Sequence, residues 1–498
     1  MPEKKTYPGV YIQEESSGVR AISGVNTSVC AFVGKAKRGP VNKAVHVLSF
    51  SDYERRFGGL SNDSEMSYAV RQFFFNGGTN ALVVRLVKSY STSNLTLKDE
   101  TDAWDVLLIM ALDEGAAGNS IRITIDCSGA DEKSFNMTIE FLVNGERGYG
   151  LTEKFDNINM LADHPRSITR IVNGISHLVT CEVLNDTRPK SCSAYLADGS
   201  EVAYTDEEAG SIYIGNRTNG EGMYALDKAD PFNLLCLPGI SDGNILRHAA
   251  AYCKERRAFM IADLPESVQK PADVINLMAG NTFPRTDHGT VYYPWLKVAD
   301  NNGLLRSCAP GGTIAGLYAR TDANSGVWKA PAGTGAKLLN VRELSYRISD
   351  SENAKLNALG VNCLRAFPDG ILAWGARTLN GADGIGSEYK YIPVRRLALY
   401  LEDSLFRGLS WAVFEPNDEP LWSQIRSIAG TFMHKLFLQG AFRGNTPRDA
   451  YFVKCDKETT TQNDINEGIV NIQVGFAPLK PAEFVIINIQ QLAGQIIQ

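Results

Sequence analysis

The sequence predicts an α/β (α+β) core domain that is discontinuous in sequence, with a mainly β insertion domain and extended N- and C-terminal arms. Three observations lead to this prediction. Short apolar strands alternate with amphipathic helices before residue 88 and again after residue 215. The block between them, residues 88–215, is acidic and rich in strand patterns. Each end of the chain carries a strand-like segment with no sequence neighbour to pair with.

Composition indicates a folded chain and excludes several protein classes. The 498 residues are 44% hydrophobic and 21% charged, unlike a disordered chain, a collagen-like fibre or a small disulfide scaffold. The net charge of −6 argues against a broad electrostatic surface for nucleic acid or anionic lipid. No secretory signal follows Met1, and no run approaches the roughly 18 apolar residues of a membrane span, so no direct membrane insertion is predicted.

Cysteine and histidine usage predicts no metal site and no cofactor. The nine cysteines are scattered and contain no C-x-x-C pair, so we expect reduced and mostly buried thiols in a protein made in a cytosol. The six histidines are also dispersed and form no ligand motif. A phosphate-binding loop of the G-x-x-x-x-G-K-[ST] type is absent from the sequence as well.

The first part of the core domain is predicted over residues 25–87, as a β-β-α-β unit. Its strands are predicted at Ser28–Gly34, Val45–Leu48 and Ala81–Val87. A helix is predicted to begin at Ser51 as N-cap, with Glu54 three residues later as in a capping box. A longer helix is expected over Ser64–Asn76.

Residues 88–215 are predicted to form the insertion domain. They carry 21 acidic and 10 basic side chains, a net charge of −11, whereas the rest of the chain carries +5. This imbalance favours a separate domain that faces water and points outward. Its strands are predicted at Val106–Leu112, Ser120–Asp126, Phe135–Leu142 and Leu178–Leu184. An Asn144-Gly145 turn and one helix over Pro165–Ser176, with Pro165 just inside its start, complete the prediction.

The α/β pattern resumes in the main part of the core domain, residues 216–480. Strands are predicted at Asn233–Leu237, Ala258–Asp263, Val291–Val298, Val361–Phe367, Ile371–Leu379, Trp411–Phe414, Tyr451–Cys455 and Ile469–Phe476. Helices are predicted at Ile245–Arg257, Ser267–Asn281, Pro393–Leu409 and Asn417–Gln439. Such alternation is typical of a sheet covered by helices. Arg395 and Arg396 are expected on the outer face of their helix, with an interface pair as the alternative.

The two arms are the most informative feature of the sequence. The N-terminal arm, residues 1–24, contains a short strand pattern at Val10, Tyr11 and Ile12. The C-terminal arm, residues 481–498, has no charge after Glu483. Its strand pattern consists of Phe484, Val485, Ile486, Ile487 and Ile489. An exposed strand of this kind would aggregate, so we expect it to be covered, either within the subunit or by a neighbour.

One motif suggests an enzyme. Gly239-Ile240-Ser241-Asp242-Gly243 is a G-x-S-x-G sequence between a predicted strand and a predicted helix, as in the nucleophile elbow of α/β hydrolases. Asp263 and either His288 or His434 follow in the hydrolase order. The alternative is that Ser241 or Asp242 only caps the next helix, and no HGGG-type oxyanion loop precedes the motif. We therefore predict no catalytic residues and keep a hydrolase using Ser241 as a minor hypothesis.

Several long phrases cover about the first 90 residues and nearly everything after Asp230. They include Tyr7-Pro8-Gly9-Val10-Tyr11-Ile12, Phe32-Val33-Gly34-Lys35-Ala36-Lys37-Arg38-Gly39-Pro40, Ala319-Arg320-Thr321-Asp322, Trp374-Gly375-Ala376-Arg377-Thr378-Leu379, Tyr391-Ile392-Pro393-Val394-Arg395-Arg396, Phe414-Glu415-Pro416-Asn417-Asp418-Glu419-Pro420-Leu421-Trp422 and Gly475-Phe476-Ala477-Pro478-Leu479-Lys480-Pro481-Ala482-Glu483-Phe484. Together these phrases resemble contractile tail sheath proteins of tailed phages and phage-like contractile injection systems.

This resemblance implies a structural subunit and not an enzyme. Family members polymerise as stacked six-fold rings around an inner tube and contract to drive the tube through a target cell envelope. Their arms add strands to the sheets of adjacent subunits. The implied partners are further copies of the chain, the inner tube protein, and baseplate and tail-terminator or cap proteins, with no nucleic acid. Assembly in the bacterial cytoplasm, within a virion tail or an injection particle that can be released, is also implied.

Two further expectations complete the sequence-based interpretation. The helix Asn417–Gln439 carries Arg426 and Lys435, which we expect to face the inner tube, with an ordinary core helix as the alternative. A non-contractile assembly protein of the same fold is the nearest alternative function. The sequence leaves open whether the particle is a phage tail or an injection device.

Overall fold

The computed structural model describes residues 21–128, 133–143, 146–229, 231–280 and 282–484. Most of the predicted arm strands, Val10 to Ile12 and Val485 to Ile489, lie outside these residues, as does the predicted Asn144-Gly145 turn. By compactness the chain divides into two units. The main unit contains residues 26–399 and 480–484, and the small unit contains residues 21–25 and 400–479. The predicted bounds of domains and arms stay predictions.

The first elements agree with the predicted β-β-α-β unit except at one cap. They are β1 (Cys30–Gly34), β2 (Ala44–Val47), α1 (Phe50–Phe57), α2 (Glu65–Phe75) and β3 (Ala81–Arg85). The N-cap of α1 is Ser49 and not Ser51, because the Ser49 hydroxyl accepts a hydrogen bond from the Asp52 amide at 3.1 Å. Ser51 lies inside the helix, two residues too late to serve as the cap.

Residues 89–214 form three small sheets with two helices. The elements are β4 (Ser89–Ser91), β5 (Asn94–Lys98), β6 (Asp105–Ala111), β7 (Ile121–Asp126), β8 (Ser134–Val143), β9 (Glu146–Asn159), α3 (Ile168–Ile175), β10 (Val179–Val183), β11 (Cys192–Tyr195), β12 (Ser200–Val202) and α4 (Ala209–Ile214). The sheet orders are β10-β6-β5, β11-β7-β8-β9 and β12-β4. The predicted strands are present, but α3 begins after Ser167, so Pro165 precedes the helix.

The next stretch supplies most of the central sheet and its covering helices. Its elements are β13 (Leu234–Cys236), α5 (Gly243–Glu255), β14 (Phe259–Ala262), α6 (Pro271–Ala279), β15 (Gly289–Tyr293), β16 (Leu296–Ala299), β17 (Leu305–Cys308), α7 (Gly311–Ser325), β18 (Glu343–Leu344), α8 (Asp350–Ala358), β19 (Asn362–Phe367) and β20 (Gly370–Ala373). The single strand predicted over Val291–Val298 is therefore two, and they belong to different sheets. A tight turn at Pro368-Asp369-Gly370 joins the antiparallel pair β19 and β20.

Helix α7 was not predicted, because its first turn contains Gly311 and Gly312. These residues are typical of a loop in sequence. In the structure, α7 crosses α2 so closely that a Cβ atom on Gly312 would overlap the backbone of Ala69. The glycine therefore serves helix packing, a requirement that only the three-dimensional arrangement reveals.

An eight-stranded sheet forms the centre of the main unit, in the order β2-β3-β1-β13-β14-β15-β19-β20. Its six inner strands pair in parallel, and β2 and β20 close the two edges in antiparallel fashion. Alternate side chains face opposite layers: Ala31 and Val33 pack with α5 and α6, whereas Cys30 and Phe32 pack with α1, α2 and α7. This arrangement confirms the predicted mixed α/β class.

The last elements are α9 (Ile392–Gly408), α10 (Glu419–Leu438), α11 (Pro447–Ala450), β21 (Tyr451–Lys454), α12 (Gln462–Asn466) and β22 (Gln473–Phe476). The strand predicted over Trp411–Phe414 is wrong. Ser410–Ala412 is a 3-10 turn, held by the Ala412 amide on the Leu409 carbonyl, and Phe414 has a φ of 69°. An apolar run without a neighbouring strand makes turns that satisfy its own backbone groups.

The outer-face prediction for Arg395 and Arg396 is also wrong, because these residues are only 6% and 4% exposed. The Arg395 guanidinium stacks over the ring of Tyr389, 4.5 Å from its centroid. No helix among the described residues has the length and apolar content needed to cross a membrane.

Candidate functional site

Ser241 lies half-buried in the turn between β13 and α5, where the motif placed it. Its neighbour Asp242 is the N-cap of α5, with a carboxylate oxygen 2.9 Å from the amides of both Asn244 and Ile245. The structure thus assigns the motif the capping role that the sequence offered as an alternative, with Asp242 as the cap.

The acid and the two histidines of the hydrolase hypothesis are engaged elsewhere. The buried Asp263 carboxylate accepts hydrogen bonds from the amides of Gly239 at 3.1 Å and Gly311 at 2.9 Å. Burial raises the pKa of Asp263 to about 7. His288 Nδ1 lies 2.9 Å from Asp287 Oδ1, and the His434 ring stacks on Phe437 in the small unit. These contacts make no Ser-Asp-His relay.

In the part of the chain that the structure describes, thiols and acidic side chains are not arranged as a metal centre either. All nine cysteines are free, and seven of them are buried. Desolvation raises the pKa of buried thiols such as Cys181, to about 12, so they are poor ligands and nucleophiles. Over the described ranges, no group of three or more His, Cys, Asp or Glu residues is placed to hold a metal ion.

The C-terminal arm begins from a buried ion pair in the main unit. The Arg377 guanidinium donates from Nε to Glu483 Oε1 at 2.8 Å and from Nη2 to Glu483 Oε2 at 2.6 Å. Tyr391 places its hydroxyl 3.3 Å from the same Oε2 atom. The next residue, Phe484, is 76% exposed. The arm itself stays a prediction, and sequence reasoning missed this attachment because Arg377 and Glu483 are 106 positions apart.

The N-terminal arm ends on the second half of α9, within the small unit. Ile22 is buried against Gly408, where a Cβ atom would lie 2.6 Å from Ile22 Cγ1. Gly24 lies against the Tyr400 hydroxyl so closely that a side chain there would clash. The Val25 amide donates to Ser404 Oγ at 3.2 Å. The two arms therefore leave from different units of the subunit.

The small unit contains a two-stranded sheet. Strands β21 and β22 are antiparallel, with Tyr451 opposite Phe476 and Lys454 opposite Gln473. In the described part of the chain no third strand joins this sheet, so each strand has one outer edge outside the ladder. Phe452 on β21 is 50% exposed. Outer edges of this kind are where an extended peptide adds to a sheet.

Helix α10 presents two different environments for the predicted tube-facing residues. Arg426 is half-buried, and its guanidinium donates to Glu419 Oε1 at 2.5 Å and to the Cys455 carbonyl. Lys435 is exposed. These two residues are nine positions apart, and each position turns an α-helix by about 100°, so their side chains lie on opposite sides of the helix. The exposed face of α10 contains Ser423, Gln424, Ser427, Thr431, His434, Lys435 and Leu438.

Comparison with known families identifies the chain. The model of the phage tail sheath protein central domain matches residues 215–379, and that of the phage tail sheath C-terminal domain matches residues 386–491. Together they span more than half of the chain. The chain belongs to the phage tail sheath family. This confirms the resemblance found in the sequence, and the relatives below are named as structural sheath proteins.

Curated tail sheath relatives are about one quarter identical to this chain over the residues that match. A putative prophage major tail sheath protein of Pseudomonas aeruginosa is 26% identical over 325 residues, 62% of this chain and 79% of that protein. The tail sheath protein of Enterobacteria phage T4 is 27% identical over 218 residues, 43% of this chain. The match spans only 31% of the phage T4 protein.

Solved sheath structures share the fold. The sheath of an extracellular contractile injection system, PVC, in the contracted state matches with a TM-score of 0.60 at 22% identity, covering 98% of this chain and 99% of that one. The contracted helical sheath of the anti-feeding prophage matches with a TM-score of 0.58 at 24% identity, over the same shares. A sheath tail protein from Listeria innocua gives a TM-score of 0.62 at 14% identity, covering 92% and 96%.

Proposed function

We propose that this tail sheath protein polymerises as stacked six-fold rings around an inner tube and contracts to drive the tube through a target cell envelope. The observation that carries the proposal is the two-stranded sheet of β21 and β22 with its two outer edges. A subunit whose described residues add no third strand to this sheet, and whose sequence has strand-patterned arms, would be complete only in an assembly of several copies. Membership of the sheath family and the fold shared with contracted sheaths support the same function.

Strand donation would link the copies. In this proposal the arm strands at Val10 to Ile12 and at Phe484 to Ile489 pair with the outer edges of β21 and β22 in neighbouring copies. Main-chain hydrogen bonds would supply the affinity, and the pockets for alternate side chains would set the register. The exposed Phe452 ring would be covered by the same event.

Other partners follow from this role. We propose that the exposed face of α10 contacts the inner tube, and that terminal rings contact baseplate and tail-terminator or cap proteins. The acidic stretch 88–215 would point outward and keep the particle soluble. Assembly would take place in the bacterial cytoplasm, and the product would be a virion tail or an injection particle.

Electron microscopy tests the proposal. Negative-stain images of the purified chain, alone and with the inner tube protein as template, should show striated hollow tubes. A variant that lacks residues 484–498 should form none. The matched control deletes residues 129–132, which lie between β7 and β8, and should assemble normally. Monodisperse monomers with and without the template would contradict the proposal, and tubes that never change length would favour the non-contractile alternative.

A further inference from the structure

We infer that Arg377 and Glu483 form the anchor that holds the C-terminal arm to its own subunit while the arm is engaged with a neighbour. This inference rests on the strand donation proposed above. A donated strand links two copies only if the residues that precede it stay bound to the donor subunit. The bound residue nearest to the donated strand therefore carries any force along the arm.

The geometry places that fixed point at Glu483. Its two carboxylate oxygens receive two parallel hydrogen bonds from one guanidinium, at 2.8 and 2.6 Å, the arrangement that gives arginine–carboxylate pairs their strength and direction. The Arg377 side chain is 1% exposed and that of Glu483 is 16% exposed, so water screens the pair little. Phe484 is already 76% exposed. The chain thus changes from a bound residue, Glu483, to a largely exposed one, Phe484, within one position.

Arg377 is itself held by groups that do not belong to the arm. Its Nη1 atom donates to the Asn357 carbonyl at 2.8 Å and to Asp383 Oδ1 at 2.9 Å. Its backbone amide donates to Asn362 Oδ1 at 2.7 Å. These contacts fix the guanidinium before Glu483 arrives, so little side-chain entropy remains to be lost when the arm root binds.

The position of the anchor also determines which units become linked. Residues 400–479 belong to the small unit, yet the chain returns to the main unit at residue 480 and is held there by Arg377. Strands β21 and β22, the proposed acceptors, lie in the small unit. Each donated C-terminal strand would therefore tie the main unit of one copy to the small unit of another. The N-terminal arm, attached to α9 in the small unit, would tie two small units.

Two variants with the same charge change test the anchor. Glu483→Ala removes the carboxylate on the arm, and Glu100→Ala removes a carboxylate that pairs with a different arginine, Arg188. We expect Glu483→Ala to raise the critical concentration for tube formation about tenfold, whereas Glu100→Ala leaves it within about twofold. Amide hydrogen exchange in the monomer should increase across residues 480–484 only in Glu483→Ala.

Further variants separate the possible failures. Glu483→Gln retains the shape of the side chain, and its critical concentration should lie between those of wild type and Glu483→Ala. Such an intermediate value shows that the variants are folded. If Glu483→Ala assembles at the wild-type concentration while deletion of residues 484–498 abolishes tubes, the anchor is refuted and strand donation stands. If that deletion also leaves assembly unchanged, strand donation itself is refuted. Equal losses in Glu483→Ala and Glu100→Ala would mean that removal of a negative charge, and not loss of the anchor, weakens assembly.

Discussion

The carboxylate of Asp322 and the guanidinium of Arg396 form a two-bond ion pair that is almost completely buried. The bonds measure 2.9 and 2.6 Å, and the two side chains are 5% and 4% exposed. Thr27 completes the group, since its hydroxyl donates to Asp322 and its carbonyl accepts from Arg396. The pair thus fastens α7 and the first half of α9 to the chain that enters β1.

Breaking this pair should destabilise the main unit strongly. Asp322→Ala leaves a buried guanidinium without its counter-charge, so we expect a loss of about 3–5 kcal/mol in the free energy of unfolding. Arg56→Ala is the control, because it removes an exposed helix-surface partner of Asp52 and should cost less than about 1 kcal/mol. Urea denaturation followed by circular dichroism measures both. Similar losses in the two variants would contradict the prediction.

Asp263 should make the main unit less stable as the pH rises. Burial raises the pKa of this carboxyl to about 7 in the folded chain, against an ordinary value of 3.8, so the folded state binds more protons than the unfolded state between these values. The contribution of this group to stability is therefore greatest below about pH 3.8 and is lost as the pH rises to about 7, a change of up to about 4 kcal/mol. Burial also raises the pKa of Glu65, which acts in the same direction.

Denaturant titrations of wild type and Asp263→Asn from pH 4.5 to 8 measure this contribution. The two proteins should be similar near pH 4.5, where Asp263 is protonated, and the variant should show the flatter profile as pH rises. Subtraction of the two curves removes the effect of the other acidic groups. Parallel profiles would show that Asp263 has an ordinary pKa in the folded chain.

Two helix glycines should respond oppositely to the same substitution. Gly408→Ala places a methyl group 2.6 Å from Ile22 Cγ1, so Ile22 must leave α9 or the helix must shift, at a cost of about 1–3 kcal/mol. Gly430→Ala on α10 meets no atom within 4 Å and should gain up to about 1 kcal/mol from helix propensity. Thermal unfolding of both variants gives the signs. Stabilisation by Gly408→Ala would mean that the N-terminal arm root is not seated on α9.

The central sheet could be predicted from sequence because its strands are buried on both faces. Runs such as Cys30–Gly34, and Ala81–Arg85 up to its last residue, are apolar, as is typical of parallel strands between two helix layers. The rule that an apolar run forms a buried strand failed at Trp411–Phe414. No strand among the described residues pairs with this run, and the Phe414 side chain is fully exposed. Apolar content predicts burial only when a partner surface exists, and the sequence does not show the partner.

The candidate sites also divide into local patterns, which the sequence shows, and long-range contacts, which it does not show. The arm strands stay predictions, which rest on a local strand pattern, at Val10 to Ile12 for example. The contacts beside them could not be predicted, since Arg377 meets Glu483 across 106 positions and Ile22 meets Gly408 across most of the chain. The burial of Arg396 likewise depends on its ion pair with Asp322, which is 74 positions away in the sequence. The topology of the sheet and helices creates such pairs, so no periodic sequence pattern predicts them.

Lys435 and Arg426, both on α10, should separate tube binding from stability. Lys435→Glu reverses the charge on the exposed face, so co-sedimentation with the inner tube protein should fall at least about tenfold, while the free energy of unfolding stays within about 0.5 kcal/mol. Arg426→Glu instead places a second acid beside Glu419 and removes the bond to the Cys455 carbonyl. It should lower the stability of the small unit by about 1 kcal/mol or more, because the Cys455 carbonyl loses its charged donor. Normal binding of the inner tube protein by Lys435→Glu would mean that another surface of the chain contacts the tube.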